Sequence, residues 1–146
     1  MNERWISYRA ALAIALCVSA GQVRAGVFDV KTFGAKGDGM TADRDAIHKA
    51  IDAAVAAGGG TVYFPAGIYL TGSIRLRSNL TLQFESGARL EADTNPSAYD
   101  APEPNQWDKF QDFGHSHFHN SLIWGEEIEN ISILGPGVIS GKALTR

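Results

Sequence analysis

The chain has 146 residues, 45% of them hydrophobic and 20% charged, which is enough apolar material for one packed domain and excludes a disordered tail. Its formal charge of −3 argues against a nucleic-acid-binding arm or a basic membrane-surface patch. The single cysteine excludes an internal disulfide and a cysteine-built zinc site. Glycine stands at 16 residues with no period of three, so it marks frequent turns and not a collagen-like repeat.

Residues 1–25 read as an export signal. Arg4 and Arg9 give a positive start, Ala10 to Val18 is an unbroken apolar run, and Val23-Arg24-Ala25 places small apolar residues at −3 and −1 of a cleavage site. The run is too short for a spanning helix, which needs roughly 20 apolar residues. A short buried helix is the competing reading. Removal of this segment takes away three arginines and one glutamate, so residues 26–146 carry a net charge of −5 and no cysteine. The expected location is secreted or periplasmic, with no membrane association after cleavage. A chain there without disulfides relies on packing and hydrogen bonding alone.

The next segment is helical. Between Thr41 and Ala57, Ile47, Ile51 and Val55 recur every four residues beside Ala46, Ala50 and Ala54, forming one apolar stripe. Thr41 or Asp43 is placed to cap its start, and Gly58-Gly59-Gly60 to end it. Arg44, Lys49 and Asp52 fall off the stripe and read as solvated.

From Thr61 the period changes to two. Short segments follow at Thr61–Phe64, Ile68–Leu70, Ile74–Leu76, Leu80–Phe84 and Arg89–Glu91, and after a long interruption at Leu122–Trp124, Ile128–Ile133 and Val138–Ser140. Two architectures fit short strands at this spacing: an antiparallel sandwich and a parallel solenoid. Turn chemistry favours the solenoid, because the strand region has none of the Asn-Gly or Asp-Gly pairs that two-residue hairpins want. Asn79-Leu80-Thr81-Leu82 and Asn130-Ile131-Ser132-Ile133 resemble each other at a spacing of 51, read here as two turns of about 25 residues.

These residues carry a family resemblance. Phe28-Asp29-Val30-Lys31-Thr32-Phe33-Gly34-Ala35-Lys36-Gly37-Asp38-Gly39, with Gly58-Gly59-Gly60-Thr61-Val62-Tyr63-Phe64-Pro65-Ala66-Gly67-Ile68-Tyr69, resembles the opening of the pectate-lyase-like superfamily. Ser78-Asn79-Leu80-Thr81-Leu82 and Gly135-Pro136-Gly137-Val138-Ile139-Ser140-Gly141 are similar to the polygalacturonase-like branch, glycoside hydrolase family 28. The resemblance implies an all-β fold: a right-handed parallel β-helix over residues 26–146 whose N-terminal end is plugged by the Thr41–Ala57 helix. It also implies a pectic or related acidic polysaccharide as partner, and an inverting acid/base hydrolysis of α-1,4-galacturonan in full-length members.

Several residue sets invite chemistry. Gly37-x-Gly39-x-x-Ala42 before a helix fits a dinucleotide pattern, but no acidic residue ends the next strand and no further strand–helix units follow, so no nucleotide and no other cofactor is expected. Asp38, Asp43 and Asp45 lack the spacing of a calcium loop and read as helix-capping carboxylates. His115, His117 and His119 alternate, so an extended segment puts them on one face; a metal site and a polar, sugar-contacting loop are the two readings, and the second is preferred because no carboxylate is placed to help. The interruption from Ala92 to Asn120 also carries Tyr99, Trp107, Phe110, Phe113 and Phe118. Its aromatic faces suit sugar stacking or a mini-core pinning the loop. Trp107, His115, His117 and His119 are thus the candidate substrate-binding residues. Arg75 and Arg77 share the outward face of one strand, either as a solvated face or as a grip on uronate carboxylates.

Catalysis is another matter. Inverting glycoside hydrolysis needs two carboxyl groups about 6.5–9.5 Å apart. The family supplies them through Asn-x-Asp and Asp-Asp segments, followed by Gly-His-Gly or Gly-His-Ser and Arg-x-Lys. This chain has no Asp-Asp, Asn-x-Asp or Arg-x-Lys, and Gly114-His115-Ser116 stands too early, so no catalytic residue is assigned. The expectation is an N-terminal portion of a longer enzyme; a small exported carbohydrate-binding or surface-interaction module is the alternative. An in-frame Asp-Asp and Arg-x-Lys in the DNA beyond Arg146 favours the first. The 146-residue chain is expected to aggregate and to release no reducing sugar from polygalacturonate, and measurable release by the purified chain overturns that expectation.

Overall fold

The computed structural model describes residues 26–103 and 119–141. Strands β1 (Gly26–Asp29) and β2 (Asp38–Ala42) flank a short 3-10 turn at Val30–Phe33 and precede helix α1 (Arg44–Ala56). β3 (Gly60–Phe64), β4 (Gly67–Thr71), β5 (Ile74–Arg75), β6 (Leu80–Phe84) and β7 (Ala88–Ala92) follow, then β8 (Ile123–Trp124), β9 (Ile131–Leu134) and β10 (Val138–Ser140). Consecutive strands never pair. Instead they distribute over three sheets, in the orders β1-β3-β6-β9, β2-β4-β7-β10 and β5-β8, with every pairing parallel. That pattern excludes the antiparallel sandwich and is a parallel β-helix, right-handed as parallel crossovers are.

Register corrects the repeat length. β3 lies on β6 with Gly60 opposite Leu80, an advance of 20 residues, and β4 lies on β7 with Gly67 opposite Ala88. The next coil is far longer: Leu80 faces Ile131, so the 51-residue spacing is one turn and not two. The excursion between β7 and β8 accounts for the extra length, and β8 returns in register with Ile74 opposite Ile123.

Alternation builds the core. Val62 and Phe64 on β3, Leu80, Leu82 and Phe84 on β6, and Ala88, Leu90 and Ala92 on β7 are buried, while their neighbours face outward. Because strands are parallel and in register, equivalent side chains stack coil on coil. Phe64 lies flat on Phe84 at 4.4 Å between ring centres, and Tyr69 meets Phe64 edge-on at 5.5 Å. On α1 the buried face is Ala46, Ile47, Ala50, Ile51 and Ala54, which joins the same cluster as Val30 and Val62. Val55, expected on that stripe, is 40% exposed, since it lies at the margin of the face that meets the solenoid. At the other end Ile133, Leu134, Val138 and Ile139 on β9 and β10 are exposed.

The aspartates correct a second expectation. Asp43 precedes α1 but makes no side-chain cap; its buried carboxylate accepts from the Lys36 N–H at 2.6 Å and the Gly37 N–H at 3.0 Å. Asp38 accepts from the backbone N–H groups of Thr41 and Met40 and from the Thr41 hydroxyl, bonds that hold its carboxyl below the usual range. Both side chains bond to backbone N–H groups of the loop that leads into α1. Asp45 alone stands in the first helical turn.

Asparagine marks one corner in successive coils. Asn79 and Asn130 take left-handed backbone angles, φ 63° and 58°, and the Asn130 side-chain amide donates to Asn79 Oδ1 at 2.8 Å. Gly59 packs against this corner: a Cβ there would meet the Asn79 carbonyl oxygen at 2.6 Å. Asn79→Ala is expected to destabilise by about 1–2 kcal/mol, through the lost amide bond and the left-handed conformation. Asn79→Gly should lose less, because glycine takes that conformation freely. Thermal denaturation of the three proteins checks the order, and equal melting points for the two variants would contradict it.

Candidate functional site

One open cavity of about 420 Å³ lies where the helix, the solenoid wall and the ends of the long excursion meet. Three features of the chain converge on it. From α1 come Arg44, His48 and Asp52, spaced by four and hence on one face of the helix. From β5 and the residues after it come Arg75 and Arg77, which point outward because Ile74 and Leu76, alternating with them, are buried. The excursion returns Asp100, His119 and Trp124.

Ser73 joins these parts. It is fully buried; its hydroxyl accepts from the Asp100 N–H at 2.9 Å and faces the carbonyls of Ser121 at 2.8 Å and His119 at 3.1 Å. Its own carbonyl accepts from Arg44 Nε at 3.0 Å. Asp100 is fully engaged as well: one oxygen pairs with the Arg44 guanidinium and the other accepts from Trp124 Nε1 at 2.8 Å. Arg44, expected to be solvated, is instead half-buried in this ion pair, because the excursion folds Asp100 against the start of the helix. A half-buried, doubly bonded guanidinium of this kind is a structural clamp.

Trp124 is the floor. The His119 ring stacks on it at 3.9 Å and the Arg75 guanidinium sits over it at 4.8 Å. His119 Nε2 lies 3.6 Å from Glu126, and its backbone N–H donates to Glu103. The His48 imidazole accepts from the Arg75 backbone N–H at 3.3 Å through Nε2. Burial pushes the His48 pKa down from its ordinary value, and the nearby Arg44 charge pushes the same way against Asp100, Asp52 and Asp45.

Of the sequence-derived candidates, His119 is in the site and Arg75 and Arg77 line it as the strand alternation required. Trp107, His115 and His117 lie outside the described residues. Among the described residues, no three His, Cys, Asp or Glu side chains cluster closely enough to hold a metal ion. Sequence reasoning missed His48, Asp100 and Trp124 as site residues. The polar 44–48–52 row was visible on the helix, but Asp100 and Trp124 belong to segments that meet it only through the excursion. The arrangement can bind an anion beside an aromatic surface. Both oxygens of Asp100 are taken, one by Arg44 and the other by Trp124.

The parallel coils and the helix packed against their first strands define a β-helix protein of the pectate-lyase type. Residues 27–109, more than half of the chain, match the family described as rhamnogalacturonase A/epimerase, pectate lyase-like, and the chain belongs to that family. It is 35% identical over 124 residues to an exo-poly-alpha-D-galacturonosidase of Dickeya chrysanthemi, covering 82% of this chain and 20% of that protein. Over 45 residues it is 71% identical to a mannuronan C5-epimerase of Azotobacter vinelandii, covering 31% of this chain and 2% of the epimerase. Among solved structures it superposes on a hyperthermoactive exopolygalacturonase of Thermotoga maritima with a TM-score of 0.70 at 28% identity, covering 83% of this chain and 26% of that one. The chain therefore spans a fifth or less of these two curated relatives. It is a pectate-lyase-like domain related to polygalacturonases and mannuronan epimerases.

His48 makes the site's stability pH-dependent. A histidine whose native pKa lies below its unfolded value of 6.5 binds its proton more readily when unfolded, so stability is complete above that value and falls as pH drops toward the native pKa. Protonation also removes the acceptor for the Arg75 N–H. His48→Gln is expected to flatten the change in melting temperature between about pH 7 and 5. Identical slopes for the two proteins would refute it.

Proposed function

We propose that the chain forms the N-terminal cap and first coils of an exported, polygalacturonase-like enzyme acting on an acidic polysaccharide, with residues 1–25 as its export signal. The observation that carries this reading is the 35% identity to an exo-poly-alpha-D-galacturonosidase across 82% of the chain. The cleft supports it, because a protein of net charge −5 after signal removal holds two guanidinium groups on its surface at one place beside an aromatic residue. Charge concentrated in this way draws a polyanion to a defined position against the repulsion of the whole. In this reading hydrolysis of the α-1,4-galacturonan bond is the work of carboxylates supplied beyond these residues, and this portion contributes the end cap and sugar contacts. His119 is one such contact, with Trp107, His115 and His117 on the same excursion. No described helix is long and apolar enough to cross a membrane.

Affinity electrophoresis tests the substrate class. The 146-residue chain is expected to be retarded in gels containing polygalacturonate and to run unchanged in gels containing a neutral galactan, with the retardation weakening as salt is added. Equal mobility in both gels overturns the reading.

A further inference from the structure

Arg75 and Arg77 have no anionic partner among the described residues, although four carboxylates, those of Asp52, Asp100, Glu103 and Glu126, stand on or near the rim. Asp100 is consumed by Arg44 and Trp124, Glu126 lies by His119, and Glu103 accepts from the His119 backbone. The two arginines are also held in place. Arg75 is anchored by its backbone bond to His48 and by the Trp124 ring beneath its guanidinium. A guanidinium held over an aromatic face keeps its in-plane N–H groups for another acceptor. Arg77 lies two residues further on, just past the end of β5, exposed like Arg75 and lining the same cavity.

We propose that Arg75 and Arg77 bind the carboxylate of a uronic acid unit in this cleft, forming a sugar-binding site that is separate from any hydrolytic carboxylate pair. The choice of a sugar acid over a simple anion rests on the rest of the lining. Asp52 stands in the same cavity, where its carboxylate can accept hydrogen bonds from sugar hydroxyls, which a bare sulfate or phosphate does not offer. Ile51 and Trp124 add apolar surface for the C–H faces of a pyranose ring. The cavity volume, about 420 Å³, falls within the range of small-molecule sites. The identity of the sugar rests on the acidic-polysaccharide reading above; the carboxylate grip rests on the cleft alone.

The probe is galacturonic acid, titrated into the 146-residue chain held soluble by a fusion partner and shown monodisperse by light scattering, while the Arg75 and Arg77 side-chain Nε–H signals are followed by NMR. Saturable shifts at both arginines are expected, with galactose giving none. Arg77→Gln, whose side chain makes no contact that the fold depends on, is expected to weaken galacturonate binding at least tenfold while leaving the melting temperature unchanged. Arg77→Lys should recover only part of the loss, because an ammonium cannot offer the bidentate fork. Unchanged affinity in Arg77→Gln overturns the site. So does equal binding of galactose, or displacement of the sugar by inorganic sulfate at equal concentration. The two readings fail separately: retardation by polygalacturonate that persists in Arg77→Gln sinks the cleft assignment alone, whereas Arg77-dependent galacturonate binding without retardation sinks the polysaccharide reading.

Discussion

Everything in this fold depends on parallel strands stacking in register, coil upon coil. Each strand hides alternate side chains, so a slip of one residue would turn Val62, Phe64, Leu82 and Phe84 outward together. Register places Phe64 on Phe84 and Asn130 on Asn79. Chain that does not belong to the repeat has one option, to leave between strands and return to the same ladder position. The long excursion after β7 does this: Ile123 comes back opposite Ile74, and Ile131 opposite Leu80.

That constraint also builds the cleft. The cavity forms where other elements stand beside the solenoid wall. Here the helix supplies one side and the returning excursion the other, with Ser73 bonding both to the wall. The wall then presents Arg75 from β5 and Arg77 from the residues just after it, while loop-borne groups such as Asp100 and His119 complete the lining. Binding side chains on segments held by a stiff scaffold are placed accurately without the segments themselves being regular.

Much of the fold was legible in order along the chain. The helix stripe at Ile47 and Ile51, the switch to period two at Thr61, and the absence of hairpin turns were sufficient for a capped parallel solenoid. Two misreadings share one cause. The 51-residue spacing looked like two coils, and Asp43 looked like a helix cap, because spacing records distance along the chain and not which backbone groups lie nearby. In the fold the buried Asp43 carboxylate finds the Lys36 and Gly37 N–H groups instead of the helix end.

Sequence by itself determined which side chains face inward, since strand and helix periodicities are local consequences of backbone geometry. It determined equally that Arg75 and Arg77 must share an outward face. Only the tertiary structure decided that this face is a cleft. Arg44, His48, Asp100, His119 and Trp124 are separated by up to 80 residues of chain, and their meeting depends on where an irregular excursion lands. No periodicity encodes that landing, because it is selected by long-range bonds at Ser73 and Asp100 that form only once the coils are stacked.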